Sequence, residues 1–336
     1  MNTVTTSLTA AEITDLARAA HLAPSIHNTQ PWLLLARPDG LDVLEDPRRA
    51  LPGVDPRGRD RLISCGAAVH NAEVALARSG RAPVVTVLPD GDGAPRVASL
   101  RAGAPRAVTP DVDALWRAVR QRRTHRRIFM ATRSSEQHVP ALHAAVRPLG
   151  VRLAVLPAAS RGSFARLVWQ AAQRLVADDA VRGDLDEWTR PDRTGDGVPL
   201  RSQATAGFPV DGLLTRTRPS GEEPPPWVSE DLAQGTVAVL LTPGDARRDW
   251  LQAGRALEAL LLTATAAGLV ASFLAPSVQD PLARTHLAAL LGESGHAQVA
   301  LRIGEPLVDV PPTPRRPLAE VFADLTPAPA APARRG

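Results

Sequence analysis

Polar side chains are concentrated in one short segment, residues 23–32, which reads APSIHNTQPW. Two prolines in it fix the backbone torsion φ and prevent a helix from continuing. We predict a rigid polar loop, in which backbone N–H groups and the side chains of Ser25, Asn28 and Gln30 could meet the polar atoms of a flat heterocyclic ring. A helix stop whose side chains hydrogen-bond to their own backbone is the commoner meaning of such a composition.

Positive charge is densest between Arg120 and Arg127, where five arginines surround Thr124 and His125. Guanidinium groups and a hydroxyl suit a phosphate, although a charge run usually means a solvated helix end. A second basic pair, Arg315 and Arg316, follows a predicted strand over residues 298–303. Arg302 alternates with apolar residues on that strand, so its side chain faces either solvent or a pocket.

Several other chemistries lack support in the sequence. The histidines show no metal-ligand spacing with acidic partners, and the single cysteine, Cys65, lies on a predicted buried helix. Neither a GxGxxG loop nor a P-loop is present. Aromatic residues make up only 3% of the chain, too few for stacking positions beside the arginines, so we do not expect nucleic-acid binding.

Elements of mixed type must position these groups. Thr9 and Glu12 have the spacing of a capping box, and the helix that they begin ends at the polar loop. Beyond the loop we predict a hairpin over residues 32–46, helices over 59–79, 111–121 and 135–146, strands over 83–88 and 151–156, a buried helix ending at Gly268, and a strand over 270–274. Helices around a mainly antiparallel sheet are therefore expected.

Composition bounds the class of protein. The chain has 336 residues, 44% of them hydrophobic, which suffices for a large core. All 39 basic residues are arginine, and the formal net charge of +4 gives no argument for affinity to nucleic acid or membranes. No apolar run is long enough to span a membrane, and no signal segment opens the chain. With one cysteine, a reducing cytoplasm is the simplest setting.

A faint internal repeat relates two parts of the chain. Gly66 and Gly80 have the same separation as Gly254 and Gly268, and a predicted strand follows each pair. Coincidence between two Ala- and Leu-rich helices is the alternative. Residues 191–235 break the pattern as a long insertion whose apolar residues, Phe208, Val210, Leu213, Leu214 and Trp227, favour a lid over a solvated linker. The tail after residue 325 is expected to be disordered.

The polar loop resembles the flavin-contacting segment of the nitroreductase superfamily, in which Pro-Ser and a following Asn and Gln-Pro-Trp line FMN. Residues 55–59, DPRGR, and 63–68, ISCGAA, look like the Acg-like branch. The resemblance covers about residues 8–322. It implies an α+β nitroreductase-like fold and FMN contacts from the loop residues Pro24, Ser25, His27, Asn28 and Gln30.

The same resemblance implies which residues bind the phosphate of FMN. The order Arg122-Arg123-Thr124-x-Arg126-x-x-Phe129 is similar to the family's Arg-Arg-Ser-x-Arg-x-Phe motif, with Thr for Ser and one inserted residue, so Arg126 and Arg127 remain alternatives. A basic cluster near the C-terminus completes the site in relatives, and it would be supplied here by Arg315 or Arg316, with Arg302 nearby.

A backbone N–H near flavin N5 is supplied in relatives by the stretch that reads Ala275-Pro276-Ser277 here. Pro276 has no N–H, so Ala275 or Ser277 would have to serve. Nitroreductases are usually intertwined homodimers. A duplicated chain, with halves over residues 1–110 and 111–325, could form a pseudo-dimeric monomer, and further dimerisation stays open.

Two functions follow from the resemblance. The first is an FMN-dependent oxidoreductase that takes electrons from NAD(P)H and passes them in pairs to a small nitro, quinone or similar acceptor, with no catalytic side chain assigned. The second is a flavin-storing or sequestering protein whose lid denies access to nicotinamide. Loss of the usual N5 donor and the apolar insertion favour the second.

Overall fold

A computed structural model describes residues 7–131, 134–189, 194–199, 221 and 223–324. Its helices, in chain order, are α1 (Ala10–His21), α2 (Arg59–Arg78), α3 (Pro110–Gln121), α4 (Val139–Val146), α5 (Arg161–Ala177), α6 (Asp179–Trp188), α7 (Pro226–Ala233), α8 (Arg247–Ala266), α9 (Pro276–Gln279) and α10 (Pro281–Leu291). Its strands are β1 (Trp32–Arg37), β2 (Gly40–Glu45), β3 (Arg81–Val87), β4 (Arg96–Pro105), β5 (Arg152–Val155), β6 (Thr236–Thr242), β7 (Val270–Phe273), β8 (His296–Gly304) and β9 (Phe322–Ala323).

The strands form two sheets. The first has the order β3-β4-β2-β1-β9 and the second the order β5-β6-β8-β7. All neighbouring strands are antiparallel except β9, which pairs in parallel with β1 and so joins the end of the described chain to its first sheet. The expected mixed α+β fold with mainly antiparallel sheets is confirmed.

Helices α2 and α8 lie between the sheets and cross at glycines. Each helix has 20 residues, and Gly66 and Gly254 each hold the eighth position. A Cβ on Gly66 would overlap the Leu251 carbonyl oxygen and lie 3.0 Å from the Gly254 Cα, and a Cβ on Gly254 would overlap the Ile63 carbonyl. The absence of side chains therefore lets the two backbones touch.

Apolar burial holds these layers together. The largest core cluster includes residues of α1, both sheets and the α2/α8 pair, so it runs through both predicted halves of the chain. A second cluster lies between the outer face of the β5-β6-β8-β7 sheet and α5, α7, α9 and α10. A small third cluster packs α6 against Leu51 and Val54. The loop of residues 23–31 lies where these units meet.

Most sequence-predicted elements are present with small shifts at their ends. The capping box of α1 is formed, because Glu12 N–H donates to Thr9 Oγ1 at 3.2 Å and Thr9 N–H donates to the Glu12 carboxylate at 2.8 Å. Only the second part of the helix expected over residues 135–146 is α-helical. The elements that had no sequence prediction are strands β4, β6 and β9 and helices α5, α6, α7, α9 and α10. None of the described helices is long and apolar enough to cross a membrane.

Candidate functional site

One cavity of about 150 Å³ collects residues that are far apart in sequence. It lies between the polar loop, α2, residues 124–126 and the second sheet with the start of α9. Its lining comprises Pro24, Ser25, Ile26, His27, Asp60, Ile63, Ser64, Thr124, Arg126, Val198, Leu257, Phe273, Ala275, Val278, Gln279, Gln298, Val299 and Ala300. Six of these, Pro24, Ser25, His27, Thr124, Arg126 and Ala275, are residues singled out from the sequence. We call this the ring cavity.

The polar loop is shaped by an unusual backbone. His27, Asn28 and Gln30 have positive φ angles of 43°, 56° and 49°. This left-handed region is uncommon for residues with a Cβ, and such conformations cluster at functional sites. The Ser25 hydroxyl accepts a hydrogen bond from Gln30 N–H at 2.9 Å, which closes the loop on itself. The turn thus points Ser25 and His27 to the ring cavity and its later residues away from it.

His27 presents an unsatisfied nitrogen at this cavity. Its Nε2 is buried and has no hydrogen-bond partner in the part of the chain that the structure describes. Burial, with a smaller contribution from the nearby Arg126, lowers the pKa of His27 to about 4. The imidazole is therefore neutral at pH 7, and its ring can offer a ligand one donor and one acceptor nitrogen.

Asn28 and Gln30 have partners other than the ring cavity. The Asn28 amide donates to the carbonyls of Gly197 at 3.0 Å and Pro314 at 2.9 Å. The Gln30 amide donates to Gly195 O at 2.9 Å and accepts from the Arg316 N–H at 3.0 Å. Neither residue lines the cavity. These side chains tie the loop to residues 195–197 and to the C-terminal segment.

A second, smaller cavity of about 40 Å³ adjoins the ring cavity through Thr124, which lines both. Its lining includes Arg122, Arg123 and Arg315, which are among the predicted phosphate ligands. We call it the arginine cavity. Thr124 is held there because it forms a β-bridge with Ala271 and because His125 N–H donates to Ala271 O at 2.9 Å.

Arg122 is buried beneath the arginine cavity beside an acidic residue. Its Nε lies 3.6 Å from Oε1 of Glu258 on α8, and both side chains are at least 95% buried. Burial lowers the pKa of Arg122 and raises that of Glu258, while each charge favours the ionised form of the other. Among the described residues the Arg122 Nε has no hydrogen-bond partner, so this charge pair is incompletely satisfied.

Arg315 has a structural task of its own. It donates to the carbonyls of His21, Leu22 and Ala23, at 2.9, 2.9 and 3.0 Å, where α1 ends. It also donates to Asn28 Oδ1 at 3.1 Å. Burial lowers the pKa of Arg315 to about 9, so it stays charged at pH 7. Arg315 thus lines the arginine cavity while holding the C-terminal segment against α1.

Arg316 and Arg302 lie outside both cavities. Arg316 pairs with Glu320, with Nε 3.1 Å from the carboxylate. Arg302 is completely buried, pairs with Asp231 of α7, and lies 4.2 Å from the centroid of the Phe129 ring. The sequence left open whether Arg302 faces solvent or a pocket. Its side chain does neither, because it is buried on the outer face of the sheet against the carboxylate of Asp231 on α7.

Ala275 and Pro276 occupy the turn between β7 and α9. Among the described residues, the Ala275 N–H donates to no acceptor, whereas the Ser277 N–H is used by Leu274 O at 3.1 Å. Ala275 lines the ring cavity, and Pro276 begins α9 without doing so. Of the two candidates for a backbone donor, Ala275 is therefore the one whose N–H is available.

Other lining residues escaped the sequence analysis. Asp60 and Gln279 face the ring cavity, and Gln279 Nε2 donates to Asp60 Oδ2 at 3.0 Å. Asp60 directly follows the quoted stretch DPRGR, residues 55–59, and the sequence analysis did not single it out as a site residue. Ser64 donates to Asp60 O and accepts from Ile26 N–H at 3.1 Å, which fixes the loop on α2. No motif in the sequence pointed to Gln279, because only the fold brings it close to Asp60 and the ring cavity.

Part of the predicted insertion reaches the ring cavity. Val198 lines it, and its N–H donates to Trp188 O at 2.9 Å. Asp196 pairs with Arg49, and Gly195 and Gly197 accept hydrogen bonds from the loop amides. Trp227 lies on α7 and packs against the second core cluster. Phe208, Val210, Leu213, Leu214 and the tail from residue 326 lie outside the described residues.

Comparison with known proteins identifies the family. No protein-family profile matches the chain. Two Mycobacterium tuberculosis proteins that are provisionally named NAD(P)H nitroreductases match almost its whole length. Rv3131 is 32% identical over 306 residues, covering 89% of this chain and 87% of its own, and acg is 30% identical over 330 residues, covering 94% and 97%. The chain belongs to the nitroreductase family.

Solved structures of other nitroreductases are similar at lower identity. The FMN-dependent nitroreductase NfnB of Mycobacterium smegmatis, solved with NADPH, is 17% identical with a TM-score of 0.40, covering 62% of this nitroreductase-family chain and 96% of its own. A nitroreductase from Bacteroides fragilis with bound FMN is 12% identical with a TM-score of 0.37, and the shares covered are 59% and 94%. The family assignment rests on the sequence relatives.

Proposed function

We propose that this nitroreductase-family protein binds FMN, with the flavin ring in the ring cavity and the phosphate in the arginine cavity. The observation that carries the proposal is the contact between the two cavities at Thr124. One cavity is mainly apolar with a few polar groups, which suits a planar ring, and the other presents guanidinium groups, which suit a phosphate.

Unused polar groups at the cavity agree with this assignment. The Ala275 N–H and the His27 Nε2 have no partner among the described residues, and both belong to residues that line the ring cavity. Buried polar groups in native proteins are normally paired. A ring with nitrogen and carbonyl acceptors would satisfy the Ala275 donor, and that donor is the candidate for the hydrogen bond to flavin N5.

The proposed activity is NAD(P)H-dependent two-electron reduction of a small nitro, quinone or similar acceptor. FMN, when bound, would supply the hydride-transfer chemistry. The chain would contribute the Ala275 N–H, which favours a reduced ring, and the arginines, which neutralise the phosphate charge. Apolar residues of α2, α8 and the second sheet would exclude water. No side chain is assigned as an acid or base.

A second candidate function is storage or sequestration of FMN. It is favoured by Val198, which contributes to the cavity wall from a segment held by Asn28, Gln30 and Arg49. If residues 191–235 cover the flavin as a lid, nicotinamide has no access. The same contacts would slow the release of FMN.

The helix crossing supports a pseudo-dimeric arrangement within one chain. The two equal helices meet at Gly66 and Gly254, and described residues of both proposed halves, 1–110 and 111–325, contribute to one core cluster. The ring cavity takes lining residues from both parts. In this proposal one cytoplasmic chain supplies both halves of the flavin site, and neither a membrane nor a nucleic acid is a partner.

An anaerobic visible spectrum of the FMN-loaded protein distinguishes the candidates. Excess NADPH, and then NADH, is added to the purified protein. Loss of the yellow colour of oxidised flavin would establish an oxidoreductase and justify a screen of acceptors. Bound flavin that stays yellow with both nucleotides would favour sequestration. A protein that binds no flavin would contradict both functions.

A further inference from the structure

A third cavity lies between α1, α3 and the C-terminal segment. Its volume is about 480 Å³, within the range of small-molecule sites. It shares Leu22 and Arg315 with the arginine cavity but has no residue in common with the ring cavity. We call it the outer groove. Apart from the residues shared with the arginine cavity, the proposed flavin site does not use it.

Charge in the outer groove is strongly unbalanced. Its lining carries four arginines, Arg18, Arg120, Arg315 and Arg316, and a single carboxylate, Asp15. Asp15 pairs with Arg18 at 3.3 Å, and Glu320 outside the lining pairs with Arg316. Even after these pairs, the guanidinium of Arg120 has no carboxylate partner in the described structure. An anion is therefore the expected type of ligand.

Arg316 offers a specific donor. Its side chain is 11% exposed, its Nε donates to Glu320, and its Nη1 is buried with no hydrogen-bond partner among the described residues. An unmatched guanidinium nitrogen at the wall of a groove is costly unless something accepts from it. Arg315 is less suited to bind an anion in the groove, because its N–H groups already donate to the carbonyls where α1 ends.

Trp116 adds an aromatic surface beside these charges. The Arg120 guanidinium lies 4.9 Å from the centroid of its indole ring. Stacked Trp and Arg side chains form a planar platform on which a nucleobase packs well. Trp116 also packs against the main core, which holds the platform in place. Aromatic stacking next to arginine donors is the combination that recognises a nucleotide.

We propose that the outer groove binds a nucleoside monophosphate, free or as the adenylate half of a dinucleotide. The base stacks on the Trp116–Arg120 pair, and the phosphate accepts from Arg316 and Arg18. Because the groove meets the arginine cavity at Leu22 and Arg315, an adenylate attached to a phosphate in that cavity could also extend into it.

Isothermal titration of the full-length protein with AMP tests the site directly. AMP should bind, and both adenosine and inorganic phosphate should bind at least about ten-fold more weakly, because each lacks one half of the contacts. Arg120→Ala should weaken AMP binding by about ten-fold, and Trp116→Phe should weaken it less. No binding of AMP, or equal binding of AMP and phosphate, would overturn the proposal.

Arg117→Ala is the matched control. Arg117 lies on the same helix, is exposed and does not line the groove, so its loss removes the same charge without removing a lining side chain. AMP affinity should change less than about two-fold in this variant. Equal losses of AMP affinity in Arg117→Ala and Arg120→Ala would show that AMP responds only to the net charge of the protein, and would contradict a defined site.

Dinucleotides identify the source of the adenylate. FAD that binds more tightly than FMN, with the difference lost in Arg120→Ala, would assign the groove to a flavin dinucleotide. NADPH that displaces AMP while FMN stays bound would assign it to nicotinamide. AMP binding without either effect would leave a free nucleotide as the ligand. AMP is titrated without flavin, so failure to bind FMN would count against the proposed function and not against this site.

Discussion

His21 shows how one side chain can connect stability to pH. Its Nδ1 accepts from Trp32 Nε1–H at 3.2 Å, and because an indole nitrogen only donates, Nε2 must carry the proton that is donated to Arg316 O at 2.8 Å. Burial lowers the pKa of His21 to about 4. A second proton on the ring would sit on Nδ1, so that the N–H groups of His21 and Trp32 would face each other with no acceptor between them.

Stability should therefore fall as the pH is lowered from about 6.5 towards 4. In that range the unfolded chain binds a proton at this position and the folded chain does not, and the contribution approaches about 3 kcal/mol. His27, whose pKa burial also lowers to about 4, acts in the same direction. Urea unfolding at a series of pH values measures the slope. His21→Asn, which keeps an acceptor for Trp32, should reduce it, and an unchanged slope would be contrary to this account.

Arg123→Ala should weaken the retention of FMN. Arg123 lines the arginine cavity and is only partly buried, so its charge can be removed with less risk to the core than that of Arg122. A hydrogen bond from a charged donor is worth about 1.5–3 kcal/mol, which corresponds to a loss of about 10- to 100-fold in affinity. The measurement is the dissociation constant of FMN from the apoprotein.

Riboflavin and Arg117→Ala are the controls for that variant. Riboflavin lacks the phosphate, so its affinity should be the same in Arg123→Ala and in the natural protein. Arg117→Ala removes an exposed charge that lines neither cavity. Full FMN occupancy in Arg123→Ala would remove the phosphate assignment.

The sequence identified candidate site residues more readily than it predicted where their side chains point. The composition of the loop singled out Ser25, and the family resemblance added His27, and both line the cavity. Asn28 and Gln30 belong to the same motif, yet their amides bind residues 195–197 and 314–316. Periodicity gives directions only in regular helices and strands, and three left-handed residues in the loop remove that regularity. Long-range partners decide such directions.

At the scale of elements, the helix crossing makes a sharp prediction. Gly66→Ala should lower the free energy of unfolding by about 2–3 kcal/mol, because its Cβ meets the backbone of Leu251 on α8, which cannot move away cheaply. Gly183 in α6 is the matched control, since a Cβ there meets nothing within 4 Å. Gly183→Ala should raise stability by up to about 1 kcal/mol through helix propensity. Urea midpoints that shift equally in Gly66→Ala and Gly183→Ala would show that the helix crossing has room for a Cβ.

The sequence predicted both helices, and the matching glycine spacings indicated a faint repeat, but nothing in it predicted that the helices cross at Gly66 and Gly254. It did not predict α5 and α6. The buried apolar residues of α5, such as Phe164, Val168 and Leu175, recur at helical spacing, a local signal that the sequence analysis did not use. Strand β4 was also missed, although its pairing with β2 and β3 is extensive.

At the scale of the whole molecule, the contacts of residues 194–199 should control access to the cavity. Asp196→Ala removes the carboxylate that pairs with Arg49, which is worth about 1 kcal/mol at a partly exposed position, and should speed the release of FMN by about five-fold. Stopped-flow release of bound flavin gives the rate. Asp186→Ala, an exposed position on α6, should leave it unchanged. Equal rates in both variants would show that this segment does not limit release.

The tie between Arg315 and the carbonyls of residues 21–23 also has a consequence for biosynthesis. Arg315 and Ala23 are 292 residues apart, so at about 5–20 residues per second a ribosome makes the second partner roughly 15–60 s after the first. During that interval the polar loop lacks both Arg315 and the β9 strand that pairs with β1. If the proposed site is correct, a nascent chain has no finished flavin site, and any premature stop before residue 315 would produce a protein that never acquires one.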